Sequence, residues 1–304
     1  MKIMVKNSFY AILICLVLMA CSSNKNETAF QPTSNLKASS ADQTLTINLA
    51  VNDTYCKQTA CACIHDIAAR EYFDIQKRLK TDYNIDLKLS YFMESYEMED
   101  AMKAKKFDGV ICKPWTAFML NEDYNIKYRR VADVLDAFNN QWLTGVFLVR
   151  KDSDIHCLED IKGQTLVAGQ EDAYEKYHSP FRLLDEKGIQ PGRVYQKASC
   201  LECINELMDK NTDVALVSDY VMKASCAVDV ASEDDFRIIG ETEKIPLCSV
   251  IMDMAKISEA DALRLQNALL AVSGKKSEES LLSDGFVKPA SWIPNPYLKP
   301  IAKN

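Results

Sequence analysis

The sequence holds only three histidines, His65, His156 and His178, in 304 residues, and no Ser-His-Asp order stands out around them. It also lacks a glycine-rich, lysine-bearing phosphate loop and a paired-carboxylate motif, so hydrolysis and phosphoryl transfer have no positive support. Haem attachment through Cys-x-x-Cys-His is excluded because that pentapeptide is absent. There is no basic run. With 43 acidic against 36 basic residues the formal charge is −7, which makes nucleic acid and acidic lipid headgroups poor partners. No internal repeat of solenoid period is present. The apolar run Phe9 to Met19 is too short for an ordinary membrane-spanning helix.

That short run has its own meaning. Lys2 and Lys6 form a charged segment before it, and Leu18-Met19-Ala20-Cys21 follows as a bacterial lipoprotein cleavage box. Residues 1–20 are therefore expected to be a signal peptide, with the Cys21 thiol as lipid acceptor. A plain signal peptide and an uncleaved anchor are the alternatives. Residues 21–42, rich in Ser, Asn, Thr and Lys and without apolar period, are expected to be a flexible tether. Loss of the two signal lysines takes the net charge from −7 to −9.

Cysteine, by contrast, is plentiful at 11 residues. Cys15 leaves with the signal and Cys21 is lipidated, so nine remain: Cys56, Cys61, Cys63, Cys112, Cys157, Cys200, Cys203, Cys226 and Cys248. An exported chain sits in an oxidising space, which favours disulfides among Cys56, Cys61 and Cys63 and between Cys200 and Cys203. Nine is odd, so one thiol at least stays unpaired within the molecule. Cys61-x-Cys63-x-His65 and Cys200-x-x-Cys203 also have metal-ligand spacing, and soft thiolates would select copper(I), zinc or an iron–sulfur centre. Redox-active thiols are the third reading of the same residues.

The stretch from Val146 to Ile189 organises the remainder. Gly145 to Val149 is an apolar, β-rich run stopped by Arg150-Lys151-Asp152. Leu158 to Gly163 is one helical turn closed by glycine, and Gln164 to Ala168 is a second buried run ending at Gly169. Ala173, Tyr174, Tyr177, Phe181 and Leu184 then share one helical face, with Pro180 expected to kink or split that helix. Earlier in the chain, Thr44 to Val51 and Ile85 to Tyr91 have strand character. Ile64, Ile67, Ala68, Tyr72, Ile75 and Leu79 trace the inner face of an intervening helix. Val110 to Cys112 and Val214 to Val217 are further buried strands, and Ser258 is expected to cap a helix running to Val272.

The order "VRKDS, LEDIKGQTLVAG, helix, LLDEKGI" resembles the substrate-binding proteins of phosphate, phosphite and phosphonate ABC transporters. Lys106 to Val110, Asp213 to Val217 and Ile245-Pro246 before Val250 to Met252 follow in the order of that family, over roughly residues 45 to 290. The resemblance implies an α/β, type II periplasmic-binding-protein fold, in which two doubly wound lobes are joined by two crossover segments. Lobe 1 would comprise residues 43–140 and 246–304, and lobe 2 residues 141–245. It implies a non-enzymatic protein without cofactor that closes on a small ligand and presents it to an ABC permease. A thiol- or metal-handling protein on the same fold, using Cys56, Cys61, Cys63, Cys200 and Cys203, is the alternative.

Projected on this chain, the resemblance puts ligand contacts at Asn52, Tyr55, Lys113 and Trp115 of lobe 1. In lobe 2 it puts them at Trp142, Thr144, Gln170, Asp172, Tyr174, Ser218 and Tyr220. Strand ends and helix N-termini there offer unpaired backbone N–H groups to anions. One segment departs from the family. Phosphonate binders carry a Ser-x-Ser-Gly-like run after the strand, where this chain has Gln170-Glu171-Asp172-Ala173-Tyr174. Two carboxylates there would repel a phosphonate, unless they point away from the cleft as ordinary first-turn acids. Trp115, Trp142, Tyr174 and Tyr220 would suit an organic or cationic ligand if they form a wall, and the core if they pack.

Overall fold

Two mixed sheets carry the chain, and the computed structural model describes residues 43–60, 70–124, 126–136, 139–223, 225–273 and 285–299. The signal, Cys21, the tether, Cys61, Cys63 and His65 lie outside them. The first sheet has six strands: β1 (Leu45–Asn52), β2 (Ile85–Tyr91), β3 (Gly109–Cys112), β4 (Tyr128–Val134), β12 (Ser249–Asp253) and β13 (Phe286–Val287), in the order β13-β4-β12-β3-β1-β2. β1 pairs in parallel with both β2 and β3, and β12 runs antiparallel between β3 and β4. Ile47, Leu49 and Val51 of β1 are fully buried, as expected for a central strand covered on both faces.

The chain leaves this sheet after β4 through β5 (Trp142–Leu143) and returns through β11 (Ile245–Pro246). These two short segments pair antiparallel, Leu143 opposite Ile245 and Trp142 opposite Pro246. Gly145 and Thr242 lock the same crossing: the Gly145 N–H donates to Thr242 Oγ1 at 2.9 Å, and the Thr242 N–H donates to the Gly145 carbonyl at 2.9 Å. The second sheet is built between the crossings from β6 (Gly145–Arg150), β7 (Thr165–Ala168), β8 (Arg193–Gln196), β9 (Val214–Ser218) and β10 (Phe236–Glu241), in the order β10-β6-β9-β7-β8.

Helices cover the sheets. α1 (Phe73–Tyr83) ends where Asn84 adopts φ 53° and donates its N–H to the Leu79 carbonyl, a left-handed stop. α2 (Ser95–Lys103) and α3 (Pro114–Tyr124) follow β2 and β3. In the second half, α5 (Cys200–Met208) starts on a reciprocal cap: Ser199 Oγ accepts from the Glu202 N–H, and the Glu202 carboxylate accepts from the Ser199 N–H. α7 (Glu259–Val272) starts on Ser258, whose hydroxyl accepts from the Asp261 N–H at 3.1 Å. The short α6 (Ser225–Val228) lies between β9 and β10.

The helix expected from Ala173 is split, not merely kinked. Tyr174–Lys176 form a 3-10 turn and α4 (His178–Glu186) begins afresh, with Pro180 in its first turn, where no intrahelical N–H is required. One ion pair organises the floor of the first half. Fully buried Arg70 donates to Asp53 Oδ2 at 2.6 Å, Tyr72 OH donates to the same oxygen at 2.8 Å, and Asp53 Oδ1 accepts the Tyr55 N–H. Because Arg70 also donates to the Leu135 carbonyl, this network ties the loop after β1 to the segment leaving β4.

After β13 the chain runs as an extended strap from one half to the other. The Ala290 N–H donates to Asp133 beside β4, whereas the Asn295 N–H donates to Tyr174 OH and the Tyr297 N–H to His178 Nδ1. Lys299 closes the strap on Asp185 of α4 at 2.7 Å.

Candidate functional site

Asn52 ends β1, Lys113 follows β3, Asp172 lies in the loop after β7 and Ser218 ends β9, so the site residues arise at carboxyl ends of parallel strands. That placement follows from the strand order, because β1/β3 and β7/β9 are the central parallel pairs of their sheets.

The deepest contact between the halves is ionic. Glu175, in the 3-10 turn, is completely buried, and its Oε1 accepts from Lys113 Nζ at 3.0 Å and from Ser218 Oγ at 2.9 Å. Burial alone would raise this carboxyl. The Lys113 and Lys176 ammonium charges more than offset it and hold the group at about 2. Its second oxygen, Oε2, has no hydrogen-bond partner among the described residues. Room for the turn comes from Gly145, where a Cβ would lie 1.8 Å from the Glu175 carbonyl oxygen.

Around that pair the seam is filled by rings. Tyr55 and Tyr220 meet edge to face at 5.7 Å, while Trp115 packs on Tyr174 at 5.1 Å and on His178 at 4.5 Å. His178 donates from Nε2 to the Glu171 carbonyl and accepts at Nδ1 from the strap. Burial pushes its imidazole down, which matches a neutral ring bonded at both nitrogens. Tyr174 OH donates to Glu243 and accepts from Arg182 and the Asn295 N–H, so it joins the returning crossover, α4 and the strap at one oxygen.

At the edge of this packed seam a cavity of about 230 Å³ remains. The first half contributes Asn52, Glu94, Glu99, Lys113, Trp115 and Met119 to its walls, and the second half Asp172, Ala173 and Lys176. Asn52 is held in place by donating to the carbonyls of Phe92 and Met93. Lys176 is buried, and its stem lies on Gly169, where a Cβ would sit 2.7 Å from Lys176 Cβ.

Four residues expected at the ligand thus line one cavity: Asn52, Lys113, Trp115 and Asp172. Tyr55, Tyr174, Ser218 and Tyr220 occupy the seam beneath, so the aromatic residues there pack against one another instead of forming an open wall. The remaining three belong neither to the cavity lining nor to these seam contacts. Trp142 sits in the crossover ladder, and Thr144 is buried with its carbonyl accepting from the Asp219 N–H. Gln170 is exposed, because the loop folds back through Gly169 N–H to the Lys176 carbonyl and carries Asp172, not Gln170, to the cavity.

Glu94, Glu99, Glu175 and Lys176 were not foreseen as cavity or seam residues. The only sequence signal for the last two was an acid–base pair on a segment read as an amphipathic helix face.

The cysteine expectations change as well. Cys56, Cys112, Cys157, Cys200, Cys203 and Cys248 are free thiols, so the disulfide expected between Cys200 and Cys203 is not formed. The two sulfurs have separate partners: Cys200 Sγ lies 3.5 Å from the Ser218 N–H, and Cys203 Sγ lies 3.8 Å from the Ala168 carbonyl. Among the described residues no three His, Cys, Asp or Glu side chains are placed to share a metal ion.

The fold defined by these two sheets and paired crossings is that of type II periplasmic binding proteins. A nucleotide-bound protein from Xanthomonas citri, crystallised with ATP, superposes with a TM-score of 0.60 at 17% identity over 81% of this chain and 91% of that one. A binding-protein component of an ABC phosphonate transporter from Pseudomonas aeruginosa gives 0.56 at 16% identity, covering 81% and 82% of the two chains. PhnD1 from Prochlorococcus marinus, in complex with methylphosphonate, gives 0.54 at 13% identity, covering 81% and 93%. No curated protein sequence matches the chain.

The sequence profile of the periplasmic substrate-binding proteins of phosphonate ABC transporters matches residues 65–291, and the chain belongs to that family. It is accordingly a substrate-binding component of an ABC transporter and not an enzyme; proteins of this kind bind small ligands and deliver them to a permease. Among the described residues no helix is long and apolar enough to cross a membrane.

Proposed function

We propose that this chain is a lipid-anchored, extracytoplasmic solute-binding protein whose two halves, hinged at the β5/β11 crossing, close on a small ligand at the seam cavity. The proposed halves are residues 43–140 with 246–304, and residues 141–245. Cys21 carries the lipid, residues 21–42 form the tether, and an ABC permease recognises the closed surface. The single observation that supports this most is one cavity lined by strand ends of both sheets, since a ligand touching both halves favours the closed arrangement.

A phosphonate is not the ligand in this reading. Glu94, Glu99 and Asp172 surround the cavity, and the Lys113 charge is already engaged by Glu175. Native mass spectrometry of the full-length protein as purified, with a thermal-shift screen of oxyanions, amines and neutral organics, tests the proposal. Retention of a small molecule, or a melting shift with one class, is expected. A flat screen with no retained molecule would remove the capture function. Metabolic labelling with a fatty-acid analogue, lost in Cys21→Ser, tests the anchor.

A further inference from the structure

Glu175 holds a position that the fold reserves for what its halves enclose. Lys113 directly follows β3 and Ser218 ends β9, so both stand at carboxyl ends of strands, one in each sheet, where α/β sheets present groups to a ligand. What they hold is the protein's own carboxylate. Glu175 Oε1 accepts from Lys113 Nζ at 3.0 Å and from Ser218 Oγ at 2.9 Å, fully out of solvent. An ammonium and a hydroxyl converging on one buried oxygen are the donors of a small-anion site. The carboxylate reaches them on a 3-10 turn that interrupts the expected helix, over Gly145, where a Cβ would meet the Glu175 carbonyl oxygen at 1.8 Å.

A second observation separates Glu175 from the carboxylates that only hold the fold. Asp53 and Asp133 are buried as deeply, yet both of their oxygens are engaged. Asp53 accepts from Arg70, Tyr72 and the Tyr55 N–H, and Asp133 from Arg130, Ser249, Gln141 and the Ala290 N–H. Glu175 Oε2 is buried and, among the described residues, has no hydrogen-bond partner. Native interiors rarely leave such an acceptor unmet, and a fold-pinning role does not account for this one. Lys113 also connects the position to the cavity, because it lines the cavity wall. With Glu175 in place that charge is already met at 3.0 Å. Burial lowers the Lys176 ammonium, and Cys200, Glu175, Cys203 and Asp172 together raise it further, so the second lysine is compensated from within as well.

Resting on the solute-binding reading above, we propose that Glu175 is the specificity-determining residue of the cleft, a tethered anion that occupies the position between Lys113 and Ser218 and so excludes small free carboxylates and oxyanions. A free anion must either displace a carboxylate fixed to the same backbone or sit beside it, where like charges repel. Tethering favours the resident group, which competes at an effective concentration of about millimolar or more. A neutral or cationic solute in the adjoining cavity meets no such competitor. Truncating Glu175 to alanine deletes the atoms of one acetate and leaves Lys113 and Ser218 as donors around the gap.

Calorimetric titration of full-length wild type, Glu175→Ala and Glu175→Gln with acetate, inorganic phosphate and methylphosphonate, at neutral pH in a low-salt zwitterionic buffer, tests this. Wild type is expected to bind none of the three. Glu175→Ala should bind acetate about tenfold or more tighter than the limit that wild type sets, the ratio of one charge-assisted hydrogen bond. Glu175→Gln keeps the side-chain volume and frees the Lys113 charge toward the cavity, so it should gain anion binding too, which covers the case of an alanine variant that does not fold. Adding Lys113→Met to either variant should remove the gain. Wild type binding an anion as tightly as the variants would overturn the inference. So would no gain in any folded variant, or a gain that survives without Lys113. Failure of the capture reading looks different: wild type then retains no molecule and its whole screen is flat, whereas this inference fails on the anion response of wild type and variants alone.

Discussion

Replacing Lys113 by Met should part the two halves. The substitution removes the charge that faces Glu175 but keeps most of the side-chain volume. Glu175 is then a fully buried carboxylate with one remaining donor, Ser218 Oγ at 2.9 Å, and one oxygen that already lacks a partner. Breaking a buried pair by removing one member costs about 3–5 kcal/mol. The Lys113 side chain is 20% exposed, so the lower end applies, about 3 kcal/mol. The pair joins the end of β3 to the turn before α4, so the molecule escapes this cost by separating the halves and hydrating Glu175 without unfolding either one.

A change of about 3 kcal/mol shifts a closed-to-open ratio roughly 150-fold. Small-angle scattering of ligand-free Lys113→Met should show a larger radius of gyration than wild type. Adding Glu175→Gln in the same chain should restore much of the compaction, since a neutral amide no longer demands a counter-charge. If Lys113→Met keeps the wild-type scattering curve and a urea midpoint within error of wild type, the buried pair does not hold the seam and the reasoning fails.

Acid should act on the same carboxylate. The Glu175 carboxyl falls from 4.5 in the open chain to about 2 in the fold, so its contribution is complete above about pH 4.5 and is lost as pH drops toward 2. The full effect is on the order of 3 kcal/mol, and urea titrations from pH 6 downward should show a steeper acid limb in wild type than in Glu175→Gln. Gly145→Ala forces a Cβ to within 1.8 Å of the Glu175 carbonyl and should cost about 1–3 kcal/mol or more in a denaturation curve. Tyr174→Phe removes the hydroxyl shared by Glu243, Arg182 and Asn295 and should cost about 1–3 kcal/mol, with faster hydrogen exchange along the strap. Among the six described free thiols only Cys157 is exposed, so peptide mapping after brief alkylation should find it modified well ahead of Cys56, Cys112, Cys200, Cys203 and Cys248.

Much of the fold was legible because burial leaves a period in the sequence. The apolar runs at Val146 to Val149, Val110 to Cys112 and Val214 to Val217 are central strands, and Ser258 caps its helix. The segment from Ala173 to Leu184 was harder. Its apolar residues have helical spacing, yet Tyr174 and Tyr177 are buried from a separate turn, because the backbone breaks before Pro180 to place Glu175 in the seam. Local periodicity does not encode a contact with Lys113, 62 positions away.

The same limit explains the site. Asn52, Lys113 and Asp172 were located through the family resemblance, which puts ligand contacts at the ends of strands whose apolar runs are legible. Lys176 reads as an ordinary helical lysine until the fold places it against Gly169 and the cavity. The cysteine expectations leaned on compartment and spacing, whereas Cys200 and Cys203 each face a different backbone neighbour across the second sheet.

The account rests on two halves that close over a ligand held at their seam. Small-angle scattering measured along a titration with a compound that raises the melting temperature tests this most directly. The radius of gyration should fall over the same concentration range in which binding saturates, and Lys113→Met should start from a larger radius and close further. Saturable binding with a scattering curve that does not change, in wild type and variant alike, would mean that the seam is rigid and that ligand capture does not work by closure.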